Sequence, residues 1–226
     1  MKLLYKNIIN YFFKLIYGKI TELDDNEKSK DINIAYLKYN KQKLKLYSIK
    51  NGRVFTDCNT NVAYITNNKI INNISYQQNK HKIAGIKYNS TLANGTNKFK
   101  NKYKGIVFSS IQGSSGNNYW HWLFDILPKI EVLKKNNLID KIDYFYLPNK
   151  NKYTLSSLKA YGIKEKRIIN SIKNKHIEAN EVLTFEHIYF HKGIIQDQFK
   201  RIPQWVFTLL YNKFYKYKKK IKFTNK

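Results

Sequence analysis

The chain has 226 residues, of which 42% are hydrophobic and 15% aromatic, and it carries a formal net charge of +27 at pH 7. This hydrophobic and aromatic content is enough for a folded core and excludes a largely disordered chain. The single cysteine, Cys58, excludes an internal disulfide. The sequence contains no cluster of cysteines and histidines of the kind that predicts a zinc site.

The high positive charge raises the question of a nucleic-acid partner. The basic residues are 39 lysines and only three arginines, whereas nucleic-acid surfaces favour arginine for bidentate contacts. Lysine, asparagine, isoleucine, tyrosine and phenylalanine make up well over half of the chain, and codons of A and T alone encode all five. The charge therefore predicts a general attraction to anionic membranes or ligands and no specific nucleic-acid partner.

Residues 1–20 predict a basic amphipathic helix. Seven apolar side chains recur there at roughly helical spacing, namely Leu4, Ile8, Ile9, Phe12, Phe13, Leu15 and Ile16. Lysines interrupt the apolar stretches, which are shorter than the about 20 residues that span a bilayer. No small-residue cleavage site follows, so a signal peptide is not predicted either. Two placements stay open, since the helix can lie on a membrane surface or pack on the protein's own core.

Residues 21–102 predict a small β-rich region that begins with a polar, acidic loop over residues 21–31. Short β-prone runs alternate there with Asn-Gly and Asn-Asn turn signals, and they lie at 44–48, 53–56, 62–66 and 69–71. The stretch 81–101 is polar, contains two glycines and predicts a connection.

Residues 103–226 predict an α/β layer with a mainly parallel sheet, because strand and helix patterns alternate. The predicted elements are a strand at 105–111, a helix at about 119–136, a strand at 142–148, a helix at 154–161, strands at 167–169 and 181–185, and a final helix at 203–220. Gly162 is expected to end the second helix, and Pro128 is expected to kink the first or to end its first segment. Ligands bind such sheets beyond the carboxyl ends of the strands.

The loop 112–118 follows the predicted strand at 105–111 and therefore lies at the carboxyl end of that strand. It leads directly into the most specific motif of the chain. His121 and Asp125 are four residues apart, so a helix places them on one face, one turn apart. Either side chain could take a proton from a hydroxyl group while the other orients it. The alternative is a hydrogen bond that only ties the helix to the sheet.

The segment 118–129 reads Asn-Tyr-Trp-His-Trp-Leu-Phe-Asp-Ile-Leu-Pro-Lys. It resembles the Asn-Tyr-(aromatic)-His-Trp-Leu-Phe-(Asp/Glu)-x-Leu-Pro-Arg segment of the family 61 glycosyltransferases, and weaker similarity lies at 53–56, 158–163 and 202–205. The resemblance implies a GT-B architecture of two Rossmann-like domains that face a cleft. It also implies inverting transfer of a sugar from a nucleotide-sugar donor to a glycan acceptor, commonly in the synthesis of capsular or other surface polysaccharides.

The resemblance covers only the N-terminal, acceptor-side half of that family. The family's second half carries a Ser-Arg strand and a His-Gly-Ala loop that contribute much of the nucleotide-sugar site, and neither occurs in this chain. A truncated or split transferase is therefore expected, with a separate C-terminal half as its partner. We also expect a cytoplasmic protein, in peripheral contact with the inner membrane face, that uses a nucleotide sugar as substrate and no cofactor.

Six residues form the predicted site. His121 and Asp125 are the predicted catalytic pair, and the predicted substrate-binding residues are Asn117, Asn118, Trp120 and Trp122. The two tryptophans point to opposite sides of a helix, so one can stack on a sugar ring while the other packs in the core. The asparagines can bind polar groups of a sugar or cap the helix.

Three further interpretations were weighed against this site. His187 and His191 lie four residues apart, but their segment is typical of a strand and a third ligand is missing from the pattern, so no metal site is predicted. A non-catalytic remnant that binds a glycan or a membrane surface is the main alternative function. A basic nucleic-acid-binding protein is the less favoured one.

Overall fold

The structure, a computed structural model, describes residues 2–23, 29–80, 82–112, 118–187, 193–194 and 200–218. Within these ranges the chain is a mixed α/β protein built around one large, mostly open sheet. The predicted α/β class is therefore confirmed.

The helices and strands follow one another in a simple order along the chain. The helices are α1 (Lys2–Tyr17), α2 (Ser90–Asn94), α3 (Tyr119–His121), α4 (Leu127–Lys135), α5 (Lys152–Lys159) and α6 (Gln204–Lys218). A π-helical turn, Trp122–Ile126, joins α3 to α4. The strands are β1 (Thr21–Glu22), β2 (Ile32–Tyr39), β3 (Gln42–Lys50), β4 (Arg53–Thr56), β5 (Asn61–Thr66), β6 (Lys69–Ile70), β7 (Tyr76–Asn79), β8 (Lys82–Ala84), β9 (Asn101–Ser109), β10 (Tyr144–Leu147), β11 (Ile168–Asn170), β12 (His176–Phe185) and β13 (Gly193–Ile194).

Four parallel strands form the part of the sheet that positions the site. Their spatial order is β11-β10-β9-β12. The chain moves outward from β9 to β10 and β11, and it then returns to the other side of β9 with β12. The carboxyl ends of β9 and β12 therefore lie side by side at the point where the direction of the connections reverses, which is where open parallel sheets bind ligands.

Strand β12 joins the β-rich part of the chain to this parallel layer. Its first residues pair antiparallel with β4 and its last residues with β3, while its other edge pairs parallel with β9. The ladder with β9 changes register between Ala179 and Glu181. The segments 21–102 and 103–226, which the sequence pattern separates, thus contribute strands to the same sheet.

Both faces of the sheet are covered by apolar side chains. Along β9 and β12, Phe108 and Leu183 belong to a core cluster shared with α4, α5 and α6. Their neighbours Val107 and Val182 belong to a second cluster shared with the β-rich strands β4 and β5. Because successive strand residues point to opposite faces, a strand buried on both faces is apolar at consecutive positions.

Two local predictions have different outcomes. Gly162 ends the second helix as expected, since its φ is +77° and the Ile163 amide donates to the Leu158 carbonyl in a Schellman arrangement. The segment 81–101, which is predicted as a connection, also contains the short elements β8 and α2. The buried Asn89 side chain accepts from the Thr91 amide at the start of α2 and donates to backbone carbonyls of the neighbouring strands.

Helix α1 lies against the β-rich part of the molecule near α2. Its Phe13 is buried, whereas most of its large apolar side chains are exposed. No helix in the described ranges combines the length and the hydropathy that crossing a membrane requires.

Candidate functional site

The helical segment 119–135, made of α3, the π-helical turn and α4, is the site helix. It begins at Asn118, whose side-chain oxygen accepts from the amides of Trp120 at 2.9 Å and His121 at 3.4 Å. Asn118 is therefore the N-cap, one of the two roles predicted for it. A contact between Asn118 and the substrate remains a prediction. Asn117, the other asparagine of the predicted site, lies outside the described residues.

The α-helical pattern is interrupted ahead of Pro128. In the π-helical turn the Leu127 amide donates to the Trp122 carbonyl, five residues earlier. Pro128 stands in the first turn of α4 and has no N–H to donate, so a change of hydrogen-bond pattern just before it is expected. Single π-helical turns occur frequently at functional sites, and this turn carries Asp125.

His121 and Asp125 are in direct contact, which confirms that they share one face of the helix. The distance from His121 Nδ1 to Asp125 Oδ2 is 2.6 Å. The exposed fraction of the side chain is 16% for the histidine and 3% for the aspartate. The buried carboxylate therefore accepts from the Nδ1–H group, which fixes the tautomer and leaves Nε2 as the basic nitrogen.

The second oxygen of the same carboxylate extends the site inward. Asp125 Oδ1 is buried and has no hydrogen-bond partner among the described residues. One helical turn further, Lys129 is only 3% exposed and donates from Nζ to Gln112 Oε1 at 2.6 Å. Burial lowers the pKa of Lys129 to about 8, and the negative charge of Asp125 opposes that shift. A buried oxygen without a partner is uncommon and marks a place where a polar group can be received.

A cavity of about 250 Å³ lies beyond the carboxyl ends of β9 and β12. Gln112 lines it from the end of β9, His187 from the end of β12, and Lys129 from the site helix. His121 is not among its lining residues. The positions 121, 125 and 129 are spaced four residues apart along the site helix, and Lys129 is the one of the three that lines the cavity.

The two tryptophans that flank the histidine have different surroundings. Trp120 is half-buried, stacks on Phe124 with ring centroids 4.8 Å apart, and meets the His121 ring edge-on at 5.2 Å. Trp122 is 1% exposed and donates from Nε1 to Ser157 Oγ at 2.9 Å. The prediction that Trp122 binds substrate is therefore corrected, because its ring is enclosed in the core, and Trp120 remains the candidate.

Lys129 and Gln112 are site residues that the sequence pattern did not single out. One signal was available, because Lys129 follows Asp125 by the same four residues that separate Asp125 from His121. A lysine inside the apolar run 126–133 must also be buried or must interrupt the packing of the helix. Gln112 offered no comparable signal, since its contact with Lys129 depends on the path of the loop after β9.

No group of three or more histidine, cysteine, aspartate or glutamate side chains in the described ranges has an arrangement suited to a metal ion. Of the two histidines considered for such a role, His187 lines the cavity and His191 lies outside the described residues.

Comparison with models of protein families, with curated proteins and with solved structures gives no match for this chain. The function is therefore approached from the geometry of the site and from the motif that contains it.

Proposed function

We propose that this protein is the acceptor side of an inverting glycosyltransferase, in which His121 is the general base and Asp125 orients it. The observation that carries the proposal is the 2.6 Å contact between a partly exposed imidazole and a buried carboxylate. The pair lies on the helix that follows β9, and Lys129 of the same helix lines the cavity at the carboxyl edge of the parallel strands. The resemblance of segment 118–129 to the family 61 motif supports the same reading.

The proposed chemistry follows from the difference in burial between the two side chains. The His121 Nε2 atom takes the proton of an acceptor hydroxyl while that oxygen attacks the anomeric carbon of the donor sugar. The bond to the nucleotide breaks on the opposite face of the sugar, so the configuration is inverted. The Asp125 carboxylate orients the imidazole and stabilises the imidazolium that forms, as the aspartate does in hydrolase triads.

Two neighbouring side chains have supporting roles in this proposal. Trp120 offers an aromatic face beside the His121 ring, and such faces bind the apolar side of a sugar. Lys129 places an amine at the cavity wall, where it favours an anionic substituent such as the carboxylate of an acidic sugar.

Acceptor binding is tested first, because it does not depend on a donor. The protein is labelled with ¹⁵N-histidine, and the His121 ring signals are followed by NMR during titration with fragments of acidic and neutral bacterial polysaccharides. We expect the free protein to show the Nδ1–H tautomer and an accepted fragment to shift the Nε2 signal. In Asp125→Asn the tautomer preference should be lost.

Transfer is then measured, with the C-terminal donor-binding half of a family 61 transferase supplied in trans, as nucleotide release from UDP-, GDP- and CMP-linked sugars with any fragment that binds. Loss of the base should lower kcat by at least about 100-fold in His121→Ala and Asp125→Asn. Lys135→Ala is the matched control, because this exposed lysine lies on the same helix away from the pair. Measurable transfer at the parent rate in all three variants would overturn the proposal.

The same measurements distinguish the alternative of a glycan-binding protein without catalysis. That function predicts fragment binding that Trp120→Ala abolishes and His121→Ala leaves intact, with no nucleotide release from any donor. Binding to neither glycans nor nucleotide sugars would contradict both functions.

A further inference from the structure

Helix α1 turns a wide apolar face away from the protein. Seven of its large apolar side chains are exposed, with exposed fractions that range from 47% for Ile16 to 69% for Leu15. They are Leu4, Tyr5, Ile8, Tyr11, Phe12, Leu15 and Ile16. At the helical periodicity these positions fall within one arc of about 140°. We name these seven side chains the outer face of α1.

The opposite side of α1 holds the helix to the rest of the protein through polar contacts and through the aromatic rings of Phe13 and Tyr17, which contact Phe99 and His176. The buried Asn10 donates to Asn94 Oδ1 at 3.0 Å and accepts from Asn97 Nδ2 at 2.9 Å. Lys14 donates to the Ala93 carbonyl at 2.9 Å. A surface helix ordinarily packs most of its apolar side chains inward, whereas α1 turns most of its large apolar side chains outward.

The chemistry of the helix indicates what the outer face meets. Residues 1–20 include four lysines and no acidic residue, and the whole chain carries a net charge of +27. Three of the exposed side chains, Tyr5, Tyr11 and Phe12, are aromatic, and such residues favour the interface between lipid and water. An apolar face on a helix whose charged residues are all lysines is the pattern of a helix that lies in the surface of an anionic bilayer.

A second copy of the chain is a less suitable partner for this face. Two outer faces packed together would also bring two sets of lysines and two bodies of net charge +27 into proximity. That repulsion opposes self-association, whereas the same charge attracts an anionic lipid surface.

We propose that the outer face of α1 docks the protein on an anionic membrane, with the helix lying in the headgroup region parallel to the bilayer plane. This inference stands on α1 alone and does not depend on the proposed transferase activity. The asparagine contacts hold α1 in a fixed orientation on the body, so docking also sets which side of the molecule faces the membrane.

The first test is co-sedimentation of the whole protein with vesicles of phosphatidylcholine, alone or with about one third phosphatidylglycerol. Ile8→Asp and Leu15→Asp place a charge at the centre of the outer face. Asn7→Asp is the matched control, because it makes the same change of charge at an exposed position of the same helix outside the apolar arc. We expect binding to the anionic vesicles to fall at least about 10-fold in the first two variants and less than about two-fold in the control.

A second measurement reports insertion directly. Phe12→Trp places an indole on the outer face, and its difference fluorescence from the parent protein should shift to the blue with anionic vesicles and be quenched by brominated lipid. A partner protein or a second copy would leave this signal unchanged by lipid. Since all the replaced side chains are exposed, circular dichroism should show an unchanged fold in every variant.

Three results would overturn the proposal. One is binding that Ile8→Asp and Leu15→Asp leave intact, or that Asn7→Asp lowers equally, since charge alone would then account for it. Another is the absence of binding to anionic vesicles. The third is a lipid-free dimer in sedimentation velocity that Ile8→Asp dissociates, which would assign the outer face to a second copy.

Discussion

The site helix and α1 are both lysine-containing helices with a pronounced apolar side, yet the protein uses them in opposite ways. In the site helix, Leu127, Ile130 and Leu133 are completely buried against the sheet. In α1, Ile8 and Leu15 are among the most exposed apolar side chains of the described chain. Periodicity thus shows that a helix has an apolar face but not what that face contacts. Which side of a helix faces the protein is set by partners far away in sequence. These are apolar strands for the site helix, and asparagines together with the rings of Phe99 and His176 for α1.

The largest effect on stability is expected when an aspartate is introduced into the apolar side of each helix. Ile130→Asp should lower the free energy of unfolding by about 4 kcal/mol or more, because it buries an unpaired carboxylate in the core. Ile8→Asp should change it by less than about 0.5 kcal/mol, because the side chain stays in water. Urea titration followed by circular dichroism measures both values. A large loss in Ile8→Asp would mean that the outer face of α1 is covered in the folded protein.

The sequence predicts a structural feature correctly where that feature depends on residues that lie close together in the chain. The strands β9 and β10, the site helix, the stop at Gly162 and the contact of His121 with Asp125 all follow from spacing over a few residues. Each of these features is determined by periodicity, by turn chemistry or by a helical turn, so the residues themselves carry the information.

The features that sequence could not supply depend on contacts across the fold. The burial of Trp122 depends on Ser157, 35 positions later, and the partner of Lys129 is Gln112 on the loop after β9. Helix α2 depends on the buried Asn89, whose bonds reach two strands. Local propensity is a weak guide in such places, because the tertiary partners decide the outcome.

The next largest effect comes from a histidine buried under α1. His176 meets the Tyr17 ring of α1 edge-on at 5.2 Å and contacts the Lys98 carbonyl through Nδ1. Burial lowers the pKa of His176 from 6.5 to about 4. Between these values the unfolded chain binds more protons, so this contribution to stability is complete above about pH 6.5 and is lost as the pH falls towards 4.

Over that window the free energy of unfolding should drop by about 3 kcal/mol, at about 1.4 kcal/mol per pKa unit. Urea titrations of the parent protein and His176→Gln at a series of pH values measure the difference. The slope between pH 4 and 6.5 should be reduced in the variant. Equal slopes in the two proteins would show that His176 is accessible to protons in the folded state.

A smaller effect on stability is expected when an asparagine that holds α1 in place is replaced. Asn10→Ala removes the two side-chain bonds to Asn94 and Asn97 and should weaken the attachment of α1 by about 1–2 kcal/mol. Hydrogen exchange should therefore become faster in the α1 amides and stay unchanged in the site helix. Asn7→Ala, at an exposed position of α1, is the control. Uniformly faster exchange in both helices would contradict a separate, polar attachment of α1.

The smallest expected effect concerns the cap of the site helix. Asn118→Ala leaves the amides of Trp120 and His121 without their side-chain acceptor and should lower the free energy of unfolding by about 1 kcal/mol. Asn118→Ser keeps a capping oxygen and should retain most of the stability. Because the serine lacks the amide group, the pair of variants separates the two roles of this residue. If Asn118→Ser restores the stability but not the binding of glycan, Asn118 also contacts the substrate. If the serine restores both, Asn118 acts only as the helix cap.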